Sequence, residues 1–307
     1  MTMKTPILLI IFNRPLETKR VFAEIKKARP EKLYLAADGP RPDKDGEAKA
    51  CQEARQITAE VDWPCVVKTD FPENNMGCLP RLSSAISWFF DNEEEGIIFE
   101  SDCLPNQDFF TFCETLLEKY RDNEKIMHIG GNNFLFNKIK IDDDYYFSRL
   151  PHIWGWATWR RAWQKYDPTM KDFPAFKEQK KINNIFKGYF ARWGWQRIFS
   201  YMYEKKIETW DYQWTYAIFK NDGLCINPRV NLVSNIGFHS GAMHTRNKKS
   251  IFADVPAEPL EKIVKYPEKI EINEKADELI LKQNFDMTLY HYFRFVLGSI
   301  KKIVVKK

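Results

Sequence analysis

The stretch that decides the fold reads Gly96-Ile97-Ile98-Phe99-Glu100-Ser101-Asp102-Cys103-Leu104-Pro105. Its apolar run, Ile97 to Phe99, predicts a strand that is buried on both faces, as the strands of parallel sheets are. Two carboxylates, Glu100 and Asp102, follow directly, before Pro105 stops the strand. Ligands of open α/β sheets bind at the carboxyl ends of the strands, and carboxylate oxygens there suit a hard divalent cation. An acidic loop that faces water is the alternative.

Length and composition limit the protein class. The chain has 307 residues, 44% of them hydrophobic, which is enough for one large domain or two smaller ones. Its formal net charge is +5, from 47 basic and 42 acidic residues that are interspersed, so no nucleic-acid-binding surface is indicated. A mildly basic protein does suit an anionic small substrate.

The cysteines and the hydropathy pattern bear on the compartment. Six cysteines form no CxxC pair, which favours core thiols in a reducing compartment over a disulfide framework. The amino terminus lacks the pattern of a secretory leader, and no window holds about 18 uninterrupted apolar residues. We therefore expect a cytoplasmic protein without a membrane span.

Strands and helices are predicted to alternate before the acidic stretch. The predicted strands cover 6–12, 32–37 and 65–69, and the helices begin at residue 16 and cover 47–59 and 79–90. Right-handed crossovers then produce an α/β fold with a mostly parallel sheet flanked by helices. Neither GxGxxG nor GxxxxGK[ST] occurs, which counts against P-loop and dinucleotide-binding proteins, and the absence of HExxH and GxSxG counts against hydrolases.

Polar residues also follow the first two predicted strands. Asn13, Arg14 and Pro15 come after the first, where a phosphate or a base could bind; alternatively, Asn13 caps the helix and Arg14 is solvated. Asp38 follows the second strand, where it could accept hydrogen bonds from a ribose or a base edge. An ordinary Asp-Gly-Pro turn is the alternative for Asp38.

Tryptophans cluster at 154–163 and 193–214. In Trp154-Gly155-Trp156 the glycine lets the backbone approach closely beside flat rings, so this loop could form a sugar-binding wall, although core packing is the commoner reading. Asp211 also lies among bulky aromatic residues, where partial dehydration raises the pKa of a carboxylate, as a general base needs. A helix cap is the alternative for Asp211.

The rest of the chain supplies further elements. A helix at 108–120 and strands at 125–130 and 145–148 are predicted, with the strand at 145–148 facing a site. The charged segment 171–205 is predicted to be a helical excursion that covers one side of the site. Beyond it we predict a helix from 209 to about 219, strands at 224–227 and 230–234, and a loop in which His239 and His244 are surface residues or a metal or diphosphate contact.

Composition shifts past residue 250. Residues 253–274 contain three prolines and many charges, which suggests a linker or an extended arm, and a short helix is predicted at 275–285. The terminus, 287–307, combines aromatic residues with four lysines near its end. It could lie on an anionic membrane surface or pack on the domain with a frayed lysine tail.

Together these motifs resemble the GT-A glycosyltransferases, and within them the N-acetylglucosaminyltransferase I-like enzymes and the bacterial haemolysin-associated nucleotide-diphospho-sugar transferases. The resemblance runs from about residue 6 to residue 246 and is carried by Phe12-Asn13-Arg14, Ala37-Asp38, Glu100-Ser101-Asp102, Trp154-Gly155-Trp156, Trp210-Asp211 and Leu224-Cys225-Ile226-Asn227-Pro228. No single element is specific, but six in order are fairly specific. Ser101 departs from the middle acid of the family's Glu-Asp-Asp, which bears on metal affinity.

The resemblance implies a GT-A domain over 1–250, with a nucleotide-sugar-binding half at 1–135 and an acceptor-binding half at 136–250, followed by the arm at 251–307. It implies that Asp102 coordinates a Mn²⁺ or Mg²⁺ ion that bridges the diphosphate, and that Asp211 is the catalytic base. His244 is assigned as a further metal ligand. The expected donor-binding residues are Asn13, Arg14, Asp38, Asn75, Arg81, Glu100 and Ser101, and the expected sugar or acceptor wall is Trp154, Gly155, Trp156 and Trp210.

The implied function is inverting transfer of a sugar from a nucleotide-diphosphate sugar, with UDP-sugars favoured, to a glycan or lipid-linked hydroxyl. Such a reaction needs a Lewis acid at the leaving diphosphate and a base for the acceptor proton. A glycan- or nucleotide-binding protein without chemistry is an alternative that Ser101 keeps open. A sugar nucleotidyltransferase is another, although Ile11-Phe12-Asn13-Arg14 lacks the glycine-rich phosphate loop of that group.

Overall fold

The amino-terminal part of the chain forms alternating strands and helices, as the sequence predicts. The computed structural model describes residues 2–238, 250–253, 255–260 and 262–294. Its first elements are β1 (Ile7–Ile11), α1 (Pro15–Ala28), β2 (Lys32–Ala37), α2 (Glu47–Thr58), β3 (Val66–Asp70), α3 (Cys78–Asn92) and β4 (Glu95–Glu100). The predicted elements differ from these by one or two residues at their ends.

The second part of the chain adds shorter elements. They are β5 (Cys103–Pro105), α4 (Gln107–Lys119), β6 (Ile126–Gly130), β7 (Tyr145–Ser148), β8 (Trp156–Trp159), α5 (Arg160–Trp163), α6 (Phe173–Glu178), α7 (Ile182–Ile185), α8 (Tyr189–Tyr203), α9 (Asp211–Lys220), β9 (Leu224–Pro228), β10 (Val233–Asn235) and α10 (Glu274–Gln283). The predicted helical excursion at 171–205 is thus divided into α6, α7 and α8. Strand β8 was not predicted, because its residues read as an aromatic loop.

Eight strands form one sheet in the order β3-β2-β1-β4-β8-β6-β9-β7. The pairs β3-β2, β2-β1, β1-β4 and β6-β9 are parallel, whereas β8 is antiparallel to both of its neighbours and β7 is antiparallel to β9. The chain therefore has the predicted α/β fold with a mostly parallel sheet. It runs outward from β1 to β3 and returns to β4 on the other side of β1, so β1 and β4 flank the topological switch point where such sheets bind ligands.

The continuous apolar run of β1 is explained by burial on both faces. Leu8 and Ile10 pack in the core that contains residues of α3, while Ile7, Leu9 and Ile11 pack in the core that contains residues of α1 and α4. Successive side chains of a strand point to opposite faces, so a strand between two helical layers has to be apolar throughout.

A buried histidine on β6 connects this strand to the segments that pack around it. His128 on β6 contacts the His152 carbonyl oxygen through Nε2 at 3.0 Å, and Nδ1 accepts a hydrogen bond from Trp214 Nε1 at 3.2 Å. Its ring stacks on Trp156 with centroids 5.2 Å apart. Because burial lowers the pKa of His128 to about 3, the ring is neutral and carries its proton on Nε2.

The described part of the arm packs along the β7 edge of the sheet. The Asp144 carboxylate accepts hydrogen bonds from the backbone N–H groups of Val264 and Lys265, both at 2.8 Å. On α10, Asp277 accepts a hydrogen bond from Ser148 Oγ on β7 at 2.6 Å. The prediction that the strand at 145–148 faces a site is wrong, because β7 is the edge strand that the arm covers.

Two further observations concern the cysteines and the helices. All six cysteines, each within the described residues, are free, and four of them are buried. In the described part of the chain, no helix combines the length and the apolar character that a membrane span requires.

Candidate active site

A cavity of about 710 Å³ lies at the carboxyl ends of β1, β2 and β4, beside the switch point. Its volume is in the range of small-molecule sites. The predicted site residues that line it are Asn13, Arg14, Asp38, Asn75, Arg81, Glu100, Ser101, Asp102, Trp154, Trp210 and Asp211. The fold thus brings together residues that are up to two hundred positions apart in the sequence.

Glu100 ends β4 and carries its carboxyl group deep in the cavity. Burial, together with the neighbouring carboxylates of Asp102 and Asp211, raises the pKa of Glu100 to about 8. The charge of Arg14 and a hydrogen bond from Trp210 act in the opposite direction. Glu100 is therefore mostly protonated at neutral pH, so this part of the cavity holds less negative charge than its three carboxyl groups suggest.

Arg14 and Asp102 form an ion pair between the first turn of the sheet and the acidic stretch. Arg14 Nη1 donates to Asp102 Oδ2, and both side chains are largely buried. Asn13 Nδ2 donates instead to Glu47 Oε1 at 2.8 Å, and no side chain caps α1. The alternative that Asn13 caps the helix and leaves Arg14 solvated is therefore wrong.

Gly237 lies directly against this ion pair. A Cβ atom at position 237 would overlap Asp102 Oδ2 and come within 2.7 Å of Arg14 Nη1. The segment is held by hydrogen bonds from Ile236 N to the Asp102 carbonyl oxygen at 2.9 Å and from Gly237 N to Asn235 Oδ1 at 2.8 Å. A side chain at position 237 would therefore force the Asp102 carboxylate or the Arg14 guanidinium to move.

Asp38 organises the loop that precedes α3. Oδ1 accepts from Gly39 N and Met76 N, both at 2.9 Å, and Oδ2 accepts from Asn75 Nδ2 at 3.0 Å and Gly77 N at 3.2 Å. Both carboxylate oxygens are thus engaged with protein groups. Asp38 lines the cavity as predicted, but in this structure its hydrogen bonds position the loop.

The other cations of the cavity are also paired. Arg81 is buried on the first turn of α3 and donates from Nη1 to Asp70 Oδ2 at 2.8 Å. Arg41 donates from Nε to Glu47 Oε2 at 3.0 Å, and its guanidinium lies 5.7 Å from the centroid of the Phe12 ring. These pairs hold the guanidinium groups of Arg81 and Arg41 in place.

The start of α9 forms another wall of the cavity. Asp211 is the first residue of this helix, and Thr209 Oγ1 donates to its Oδ1. The N-cap residue of α9 is Trp210, so Asp211 lies inside the first turn and not at the cap position. A carboxylate in the first helical turn is stabilised by the helix dipole. Trp210 stacks on Trp156, with ring centroids 5.7 Å apart, and this contact ties the wall to the core.

Two residues of the predicted tryptophan wall, Trp154 and Trp210, line the cavity, whereas Gly155 and Trp156 do not. Trp154 lines the cavity, and its ring packs edge-on against Phe238 at 5.6 Å. Trp156 is 1% exposed and packs with His128, Trp163 and Trp214, away from the cavity. Trp154 precedes β8, and Gly155 turns the backbone between the two tryptophans with a φ of +69°. The strand geometry that would place residues two apart on one face therefore does not extend to Trp154.

Gly155, the third residue of that predicted wall, does not line the cavity either. Its φ is +69°, and a Cβ there would lie 2.9 Å from Val233 Cγ2. The glycine therefore serves the backbone turn and the close packing of β8 against β10.

The metal assignment concerns Asp102 and His244. His244 and His239 lie outside the described residues. Among the residues that are described, no group of three His, Cys, Asp or Glu side chains forms a ligand cluster. Asp102 nevertheless fits an ion such as Mg²⁺, which is commonly held by one or two carboxylates and completed by substrate phosphates and water.

Several cavity residues were missed by the sequence analysis. Arg41, Glu208 and Asn235 line the cavity, and Glu47 supports it from α2. Glu208 lies beside Gly77, where a Cβ would come within 3.3 Å of Glu208 Oε1. None of these residues belongs to a spaced motif. Arg41 alone stands close to a residue that the sequence analysis singled out, three positions after Asp38.

Comparisons with known proteins yield partial structural likenesses. No family model matches the chain, and no curated protein matches it. HddC from Yersinia pseudotuberculosis is 9% identical, with a TM-score of 0.33 over 53% of this chain and 80% of that one. A UDP-glucose pyrophosphorylase complexed with UDP-glucose is 11% identical (TM-score 0.30; 53% and 79%). The inositol-1-phosphate CTP transferase from T. maritima is 8% identical (TM-score 0.31; 53% and 73%).

Proposed function

We propose that the protein transfers a sugar from a nucleotide-diphosphate sugar to an acceptor hydroxyl, with inversion and with the help of a divalent metal ion. The proposal is carried by one observation: Asp102 beside Arg14, and Asp211 on another wall, line the same cavity at the switch point. The resemblance of the motifs to GT-A glycosyltransferases supports the roles given to these acids. The fold alone would not, since one fold hosts many functions.

Arg14 and Asp102 are proposed to receive the diphosphate. They neutralise each other in the structure, so an arriving diphosphate offers Arg14 stronger acceptors and releases the Asp102 carboxylate for the metal ion. The bound ion would act as a Lewis acid for the leaving group. Manganese or magnesium fits oxygen ligands of this kind, and the family resemblance makes UDP-sugars the favoured donors.

Asp211 is proposed to be the general base. Its position at the start of α9 and its hydrogen bond from Thr209 support this role, because both would hold the carboxylate in place for an acceptor hydroxyl. Because Glu100 is mostly protonated, we give Asp102 and Asp211 the two separate roles that the reaction needs. A base that deprotonates an acceptor opposite the leaving group produces inversion.

The domain division and the location belong to the same proposal. The residues that we assign to the donor come from 1–135, and Trp154 and Asp211 come from 136–250, where the acceptor would bind. Six free thiols support a reducing compartment such as the cytoplasm. Among glycan and lipid-linked acceptors we favour the latter, because the C-terminal end carries exposed apolar and basic residues.

A sugar nucleotidyltransferase is the second candidate. Arg14, in the turn after β1, lies beside Asp102, and this pairing suits a triphosphate with its metal ion as well as a diphosphate. The two reactions release different products: a transferase forms a nucleoside diphosphate, whereas a nucleotidyltransferase joins a nucleoside triphosphate to a sugar phosphate and releases pyrophosphate. Incubation with each substrate pair, followed by identification of the phosphate product, distinguishes them.

The first test is thermal unfolding with a panel of nucleoside diphosphates, with and without Mn²⁺. A ligand that binds only the folded state stabilises it by about 2.7 kcal/mol when the ligand concentration is about 100 times the Kd. We expect one diphosphate to raise the midpoint in the presence of Mn²⁺, and Asp102→Ala to abolish that rise. A panel without any shift would contradict donor binding and favour the glycan-binding alternative.

A further inference from the structure

The C-terminal end of the described chain is docked on α8. Met287 packs against Gly194, where a Cβ would lie 2.7 Å from Met287 Cε. Tyr292 packs edge-on against Trp193, with ring centroids 5.1 Å apart, and against Tyr189 at 5.7 Å. These contacts fix the orientation of the helical residues 289–294 on the protein.

The opposite side of these residues is apolar and exposed. Tyr290 is 68% exposed, Leu289 54% and Phe293 53%. Tyr189 on α8, also 53% exposed, contacts the Tyr292 ring, which in turn contacts the Phe293 ring with centroids 5.7 Å apart. Positions 289, 290 and 293 share one side of a helix. We call the four exposed residues the C-terminal surface. Contiguous exposed apolar groups of this kind mark an interaction site.

Basic residues predominate in the sequence at the C-terminal end, and Asp286, the acid next to the described helical residues, lies 3.4 Å from His291 Nε2. Arg294 follows Phe293 directly, and residues 295–307 contain four lysines and no acidic residue. The occupant of the surface should therefore be anionic as well as apolar. A second copy of the chain would bring two such basic ends together, which electrostatic repulsion disfavours.

We propose that the C-terminal surface binds an anionic membrane. Tyrosine rings combine an apolar body with a polar tip and are favoured at the boundary between headgroups and acyl chains. Neighbouring lysines and arginines are attracted to the negative surface potential of anionic lipids, within the reach that salt screening allows. The inference rests on the exposed residues and the charges, and it does not depend on the proposed transfer reaction.

The test is co-sedimentation of the full chain with lipid vesicles, without nucleotide or metal. We expect binding to vesicles of phosphatidylcholine and phosphatidylglycerol in equal parts, weak binding to phosphatidylcholine alone, and release by high salt. The double variant Tyr290→Ser with Phe293→Ser should lower the partition by about tenfold or more, which corresponds to roughly 1.4 kcal/mol. Val264→Ser, which removes a 79% exposed apolar side chain elsewhere, is the matched control and should bind like the wild type.

Three outcomes would overturn the proposal. They are equal binding to neutral vesicles, unchanged partition of the double variant, and vesicle-independent self-association that the double variant abolishes. The thermal midpoint of the double variant should equal that of the wild type, which shows that the chain is folded. A variant with Lys301, Lys302, Lys306 and Lys307 all changed to Gln tests the charge contribution alone and should also lower the partition. Asp102→Ala should bind vesicles normally, so failure of the transfer proposal leaves this result unaffected.

Discussion

Each half of the sheet contains a buried titratable group, but the surroundings of the two groups differ. In the parallel half, β3-β2-β1-β4, Glu100 ends its strand at the cavity, and burial raises its pKa to about 8. In the mixed half, β8-β6-β9-β7, burial lowers the pKa of His128 to about 3, and both ring nitrogens are engaged. Burial makes both groups neutral, but only Glu100 lines a cavity. A shifted pKa therefore indicates a functional site only where space for a ligand accompanies it.

The largest expected effect concerns the cavity of the parallel half. Asp211→Asn should lower transfer by about 10²- to 10⁴-fold, the usual contribution of a general base, and leave donor binding and the thermal midpoint unchanged. The matched control is Asp222→Asn, an exposed position beyond the other end of α9 with φ +51°, which Asn tolerates. Transfer that survives in Asp211→Asn would show that the base lies elsewhere.

Trp154 and Trp156 allow a comparison between a residue that lines the cavity and one that lies in the core. Trp156→Ala removes a ring from the core of the mixed half and should lower the free energy of unfolding by about 3–5 kcal/mol in urea titrations. Trp154→Ala removes a cavity-lining ring and should cost less stability while raising the KM for the acceptor. Equal losses of stability in the two variants would remove the distinction between wall and core.

The pH dependence of stability should differ in sign between the halves. Glu100 has a folded pKa of about 8, above its ordinary value of 4.5. Its contribution to the free energy of unfolding is therefore fully present below about pH 4.5 and is lost as the pH rises toward 8. His128 has a folded pKa of about 3, below 6.5, so its contribution is present above pH 6.5 and is lost as the pH falls toward 3.

The variant Glu100→Gln tests the loss of stability that we expect between about pH 5 and pH 8. The variant keeps the shape of the side chain without a titrating group, so the fall in thermal midpoint between about pH 5 and pH 8 should become smaller. His128 is intact in this variant, so the fall toward acid pH should remain. An unchanged slope between pH 5 and pH 8 would mean that Glu100 is not the titrating group.

The smallest expected effect concerns the order of ligand binding. If Arg14 holds Asp102 until a diphosphate arrives, Arg14→Met should bind Mn²⁺ without nucleotide at least about fivefold more tightly than the wild type, as measured by electron paramagnetic resonance. Arg41→Met, which loses a cavity cation that is paired with Glu47, should leave Mn²⁺ affinity unchanged. Equal Mn²⁺ affinity in the wild type and Arg14→Met would contradict this role of Arg14.

Local sequence patterns predicted the parallel half well, because each strand is a continuous apolar run that ends in polar turn residues. The mixed half was harder, since β8 begins inside a tryptophan-rich loop and its pairing partners β4 and β6 are distant in the sequence. The facing of β7 was misassigned for a related reason, because which strand becomes an edge depends on sheet order. The signals for Glu208 and Asn235 were absent because neither is part of a local motif.

The sequence by itself determined the strand ends and the residues that stand on them, because burial on two faces demands apolar runs and leaves polar groups at the edge of the sheet. Only the tertiary structure decided how those groups combine. It paired Asp102 with Arg14 across 88 residues, placed Gly237 against both, and occupied both oxygens of Asp38 with the loop before α3. It also separated Trp154 from Trp156. Hydrogen bonds and ion pairs act over a few ångströms in space, and the spacing of residues along a chain does not encode those distances.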